Sequence, residues 1–203
     1  MSEQKQRGYL RGVRGILVTP LNLDGSMPTS PETYWVDTAQ EVALSVEIVE
    51  GESADLRGGD RQLVRIEEES TIVGVDLTFR DARFDAELTE IIAGGSLVMG
   101  ETIVEGETGQ VVLGWEAPKV ADQTDRTPFQ AEVYVQSFNA EGGREAYLVY
   151  QFRYCKGYVP EITHGDRAWG TPEFEIMARE NPATAKSTYQ KSFVASLPAE
   201  ASA

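Results

Sequence analysis

The feature that most constrains this chain is strict two-residue alternation of apolar and polar side chains, repeated in segment after segment. That period puts one set of side chains on each face of an extended strand, so it selects strands over helices. Over 42–50 the apolar set is Val42, Leu44, Val46 and Ile48, with Ser45 and Glu47 opposite. Over 71–79 it is Val73, Val75, Leu77 and Phe79, with Asp76 and Thr78 opposite. Both read as strands with one face on a core. Over 129–136, Phe129, Ala131, Val133 and Val135 alternate with Gln130, Glu132 and Gln136. A turn at 139–143 follows, which makes 145–155 the hairpin partner. That partner carries Leu148, Tyr150, Phe152 and Tyr154 on one face and Tyr147, Gln151 and Arg153 on the other, so it is expected to be contacted from both sides. Two closing strands at 173–179 and 189–194 and an opening one at 15–19 bring the expectation to seven or more.

One segment breaks the pattern. In 84–95, Phe84, Leu88, Ile91 and Ile92 fall on one helical stripe, Asp85 stands where it can cap the first turn, and Gly94 where a helix would end in the left-handed conformation. Several strands around one short amphipathic helix predict a mainly β fold, a β-sandwich or barrel whose open side the helix covers. A single domain over 1–203 is expected, with an N-terminal arm at 1–13 and a flexible C-terminal tail at 198–203. Two long loops, 50–62 and 116–128, are rich in turn-forming and charged residues. Loops of that length in a compact domain are usually functional or disordered.

Charge narrows the class of partner. Eighteen Lys and Arg against thirty-three Asp and Glu give a net charge of −15, which repels phosphate, so a grip on nucleic acid is disfavoured. A surface that DNA slides past is compatible with that sign. An apolar fraction of 41% with 25% charged residues is that of a chain able to fold. No signal-peptide core or eighteen-residue apolar run is present, so the expected place of synthesis and residence is the cytoplasm unless an assembly carries the protein out.

Residues with chemical potential are few. His164 with Asp166 is spaced too locally for an oriented general base, and no nucleophile motif accompanies it. Cys155, the one cysteine, reads as a buried small hydrophobe, Lys156 being the only cation beside it in sequence. The acidic clusters at 67–69 and 122–125 lack the spacing of a cation loop and read as solvated charge. The Gly-Gly pairs at 58, 94 and 142 do not form a phosphate cradle. Neither a catalytic role, a cofactor nor a metal is expected. The loop at 50–62 is different: Asp55, Arg57, Asp60 and Arg61 surround Leu56, mixed charge about one apolar anchor. This suits a contact between subunits, though a mobile solvated loop has the same composition.

The order RGILVTPL (14–21), VALSVEIVE (42–50), LRGGD (56–60), GVDLTF (74–79) and FDAELTEIIAGG (84–95), followed by PEFEIMAR (172–179) and SFVASLP (192–198), resembles the major tail tube proteins of long-tailed bacteriophages, the siphophages. The resemblance implies a β-sandwich flanked by a helix, assembling into hexameric rings whose inner strands join as a β-barrel around a lumen. The rings stack into the tail tube, the conduit for phage DNA delivery. It also implies self-association, contact with the tape measure protein and with tail terminator and distal tail proteins, and DNA passing without specific binding. The location implied is the virion tail, assembled in the bacterial host cytoplasm. In such proteins the long early loop reaches the neighbouring ring, which makes Asp55, Leu56, Arg57, Asp60 and Arg61 the candidate inter-ring contacts. Polar strand faces such as Ser45 with Glu47, or Asp76 with Thr78, suit a lumen to which DNA does not adhere. The alternatives are a monomeric β-sandwich binding module, for which Trp35, Trp115 and Trp169 supply stacking faces, and a ring-forming head–tail or terminator protein that does not stack.

Overall fold

A computed structural model describes residues 8–58, 61–104, 107–119 and 126–198. The chain runs through β1 (Tyr9–Pro20), β2 (Tyr34–Val36), β3 (Ala39–Val49), β4 (Ser53–Gly58), β5 (Arg61–Glu67), β6 (Thr71–Asp81), α1 (Ala86–Ala93), β7 (Ser96–Val104), β8 (Glu107–Glu116), β9 (Phe129–Phe138), β10 (Arg144–Gly157), β11 (Glu173–Ala178) and β12 (Tyr189–Val194). Among the described residues, eight strands join in one antiparallel sheet of order β2-β1-β9-β10-β11-β6-β3, with β12 also on β10.

The long strand β10 makes this sheet fold on itself. Its Tyr147–Phe152 stretch pairs with β12, whereas Cys155 to Gly157 pair with β11, and the register slips between Phe152 and Cys155. An irregularity of this kind bends a strand and turns its two halves toward different partners. As a result Ile16, Val18, Phe129, Ala131, Val133 and Phe152 share one core with Val75, Leu77, Phe79, Phe174 and Ile176. Phe79 and Phe174 stack there with ring centroids 4.7 Å apart. The expected two-sided packing of β10 is present, because Val149 on its other face joins Leu17 and Tyr134 in a second, smaller cluster.

Helix α1 flanks this sandwich and closes it with Leu88 and Ile92. Asp85 caps it as expected, its Oδ1 accepting from the amides of Glu87 at 3.0 Å and Leu88 at 3.2 Å. Gly94 ends the helix at φ 74 and ψ −164, so the left-handed cap expected there is replaced by an extended conformation open essentially to glycine alone. Ile92 lies so close to β10 that a Cβ at Gly157 would fall 2.2 Å from its Cγ2, which explains the glycine there.

Three expectations need correction. Residues 50–62 are not a long loop: β4 occupies 53–58 and pairs with β5, because Ala54, Leu56, Val64 and Ile66 alternate with charged residues. The N-terminal arm is shorter than 1–13, since Tyr9, Leu10 and Val13 pair with Phe138, Ser137 and Val135 within β1. Segment 96–116, given no strands from sequence, is the β7–β8 hairpin. Residues 1–7, 120–125 in the second loop, and 199–203 in the tail lie outside the described residues.

Candidate assembly interface

Strand β3 is the last strand of the sheet, and its apolar side is where the fold is incomplete. Val42 packs on the core. Beyond it Leu44, Val46 and Ile48 stay exposed, Ile48 at 55%. They stand opposite Leu77, Val75 and Ile72 on β6, so they prolong the core face of the sheet past the point where the described residues cover it. The expected core face of this strand is therefore only begun by Val42, and the rest stays exposed because no layer among the described residues reaches it.

The same ladder continues outward. Val49 pairs with Thr71, the amide of Glu68 donates to the carbonyl of Glu52 at 3.1 Å, and Ser53 pairs with Glu67. Strands β3 and β4 on one side and β5 and β6 on the other thus form a two-stranded ribbon. From residue 42 to residue 58 it spans at most roughly 50 Å at about 3.3 Å per residue. Val64, Ile66 and Ile72 add further exposed apolar side chains.

The candidate contact residues fall at the far end of this ribbon. Asp55 on β4 stands opposite Arg65 on β5, their charged groups 3.9 Å apart, and Arg65 also meets Glu67. Asp55 is therefore already partnered within the hairpin. Leu56 and Arg57 pair through their backbones with Val64 and Gln62, and their side chains lie outside those described. Arg61 opens β5 with its side chain exposed, and Asp60 lies outside the described residues.

The opposite face of the sheet is polar. The registers set Ser45 beside Asp76 and Met177, and Ala43 beside Thr78 and Glu175. The two expected polar pairs thus share one surface. Arg80 lies between Glu173 at 2.5 Å and Glu41 at 3.7 Å. The Glu173 carboxylate, by hydrogen bond first and charge second, raises the Arg80 guanidinium above its ordinary value. Arg179 lies between Glu47 at 2.8 Å and Asp76 at 3.5 Å. Both arginines on this face are engaged by carboxylates, and Glu175 adds a further negative charge.

Elsewhere the candidates do not converge. Asp166 meets Arg167 at 3.9 Å, both almost fully exposed, while the His164 ring crowds the space beside Gly170. Cys155 is buried, which pushes its thiol well above the ordinary range. Trp35 packs edge-on against Tyr134, Trp115 donates to the carbonyl of Gly94 at 2.8 Å, and Trp169 is 94% exposed between β10 and β11, so the three indoles form no common platform. The phenol of Tyr34 donates to Asp85, and burial, followed by that hydrogen bond, raises it above its ordinary value. A groove beside α1 is lined by Glu32, Glu87, Glu90 and Glu116 together with Lys119 and Arg126. No cluster of three metal-ligating side chains occurs among the described residues, and no helix among them is long and apolar enough to cross a membrane.

No family model and no curated protein matches the chain. Among solved structures, it is similar to a chain of the 6-fold symmetrised cryo-EM structure of the anti-feeding prophage baseplate, at 12% identity and a TM-score of 0.31, over 96% of this chain and 98% of that one. At that level the superposition carries no functional weight.

Proposed function

We propose that the chain is a non-catalytic structural subunit of a phage tail, polymerising as stacked hexameric rings into the tube through which DNA is delivered. The observation that carries this reading is the exposed apolar side of β3, whose outer edge pairs with no strand among the described residues. An edge strand of this length with Leu44, Val46 and Ile48 exposed invites pairing, and proteins that persist as monomers blunt such edges. A second copy laid on it removes apolar surface from water and gives the edge a defined partner, and repetition of a contact between unlike surfaces closes into a ring.

The polar face of β3, β6 and β11 supports the second half of the proposal. Turned toward a lumen, it offers DNA carboxylates, while Arg80 and Arg179 are held in ion pairs. Phosphates passing over such a surface gain little counterion release and do not stick. The ribbon bearing Asp55, Leu56, Arg57 and Arg61 is the element with the reach to meet an adjoining ring. The tape measure, terminator and distal tail proteins are the further partners of this reading, and the virion tail its location.

Negative-stain electron microscopy of the concentrated protein, with sedimentation velocity alongside, tests the proposal. Rings or hollow tubes of uniform width are the expected result. A protein that remains monomeric at every concentration and salt condition overturns it.

A further inference from the structure

The acidity of this chain is not spread evenly, and strand β1 joins two regions of opposite charge. At its start the chain is basic: residues 1–14 carry Lys5, Arg7, Arg11 and Arg14 against Glu3. Arg11 and Arg14 are exposed on β1, while Lys5 and Arg7 belong to the segment before Gly8, outside the described residues. At the other end of the strand, Pro20 lines the groove beside α1. Glu32, Glu87, Glu90 and Glu116 line it too, and none of the four makes an ion pair among the described residues. Of the two cations there, Arg126 is drawn aside, donating to the carbonyl of Gly157 at 2.5 Å with its guanidinium 5.1 Å from the centre of the Tyr158 ring. Lys119 is left to offset four carboxylates, and Ile91 and Leu97 add apolar surface.

The basic segment cannot reach the groove of its own copy. Tyr9 stands opposite Phe138 and Pro20 opposite Phe129, so the length of β9 between those partners, roughly 30 Å at strand spacing, separates the two ends of β1. Beyond Gly8 a fully extended chain carries Arg7 no farther than about 4 Å and Lys5 no farther than about 11 Å. Both fall short, so the two sets of charge can meet between copies and not within one. The net charge of −15 sets copies against each other at long range, and a local match of this kind supplies the register in which they can meet.

We infer that the Lys5–Arg7 segment of one copy lies in the Glu32–Glu87–Glu90–Glu116 groove of the next. The aliphatic stems of Lys5 and Arg7 run along Ile91 and Leu97 while their charged ends meet the carboxylates. The partner is a second copy of this chain, and the contact joins unlike surfaces at opposite ends of β1, so it propagates head to tail instead of closing a two-fold dimer. The inference rests on the self-assembly reading above and gives it a specific, salt-sensitive contact.

Charge exchange and cross-linking in the full chain test the contact. Lys5→Glu with Arg7→Glu should abolish assembly at concentrations where the parent assembles, and so should Glu32→Lys with Glu116→Lys. Mixed in equal amounts, the two variants should assemble again, because each then meets a partner of opposite sign, and that recovery also shows that both are folded. For cross-linking, Gln6→Cys protein is mixed with Ser96→Cys protein, Ser96 lying on the groove, then assembled and oxidised; Cys155, the sole native thiol, is buried. The expected result is a disulfide that needs both variants, and a chain carrying both cysteines should form none while dilute and monomeric. A disulfide within that dilute monomer overturns the seating between copies. Rings or tubes that form in both charge variants as in the parent, with no disulfide between positions 6 and 96, overturn this contact and leave the assembly reading standing. Absence of any assembly in the unsubstituted protein overturns both.

Discussion

Leu44 and Leu77 face each other across the β3–β6 ladder, yet Leu77 is completely buried and Leu44 is 40% exposed. One register position therefore marks where the core ends and the free apolar edge begins.

Substitution at these two positions should separate folding from assembly. Leu77→Ala removes a fully enclosed side chain and should cost about 2–5 kcal/mol in urea unfolding. Leu44→Ala should cost less than about 1 kcal/mol in the monomer, because its side chain still meets water. It should nevertheless slow ring or tube formation, followed by light scattering. Equal loss of stability at both positions would mean that Leu44 belongs to the monomer core.

The distal ribbon gives a second test. Strands β4 and β5 pair with each other, and none of their described side chains joins the main core. Replacing Leu56 and Arg57 together by Ala should leave the thermal midpoint of the monomer within a degree or two, since both residues sit on a two-stranded ribbon whose described side chains stay out of the main core. Tube growth should be impaired. Tubes of normal length from this variant remove the docking role of the ribbon tip.

The polar face predicts a gain of function. Glu173→Lys with Glu175→Lys frees Arg80 from one of its carboxylate partners and reverses two charges. The double variant should retard duplex DNA in a gel at low salt and release it steeply as salt rises, whereas the parent protein should not bind. Retention insensitive to salt would point to a contact other than phosphate.

Asp85 links helix and sheet, since one carboxylate caps α1 and also accepts from Tyr34. Asp85→Ala should cost about 1 kcal/mol through the lost cap, and Asp85→Asn should recover most of it.

Tyr34 adds a pH dependence. Its phenol is raised in the folded state, so the folded chain holds that proton more tightly than the unfolded one. The stability this contributes is complete below the ordinary tyrosine value of about 10 and is lost as pH rises above it. In Tyr34→Phe the fall in urea midpoint between neutral pH and the alkaline range should be shallower than in the parent. Parallel curves would remove Tyr34 as the source.

Alternation alone located β3, β6, β9, β10, β11 and β12, and the helix came with its cap at Asp85, because both signals depend only on near neighbours in the chain. Strands β7 and β8 were illegible for a related reason. With Val98, Met99, Val111, Val112 and Leu113 interrupted by Gly100, Gly109 and Gly114, and with apolar residues on both faces, the segment shows no contrast between a dry side and a wet one. The ribbon tip misled in the same way, its glycines and charges reading as loop although it pairs as strand.

By itself the sequence determined which side chains share a face, where the helix starts and that the chain is strongly acidic. It did not determine what lies against each face. Val46 and Val75 stand directly opposite each other with the same residue type, and only the folding of the sheet about β10 buries one and leaves the other at the open edge. Periodicity acts along one strand, whereas burial depends on layers brought together from distant parts of the chain, and so the exposed apolar edge of β3 emerged only from the tertiary structure.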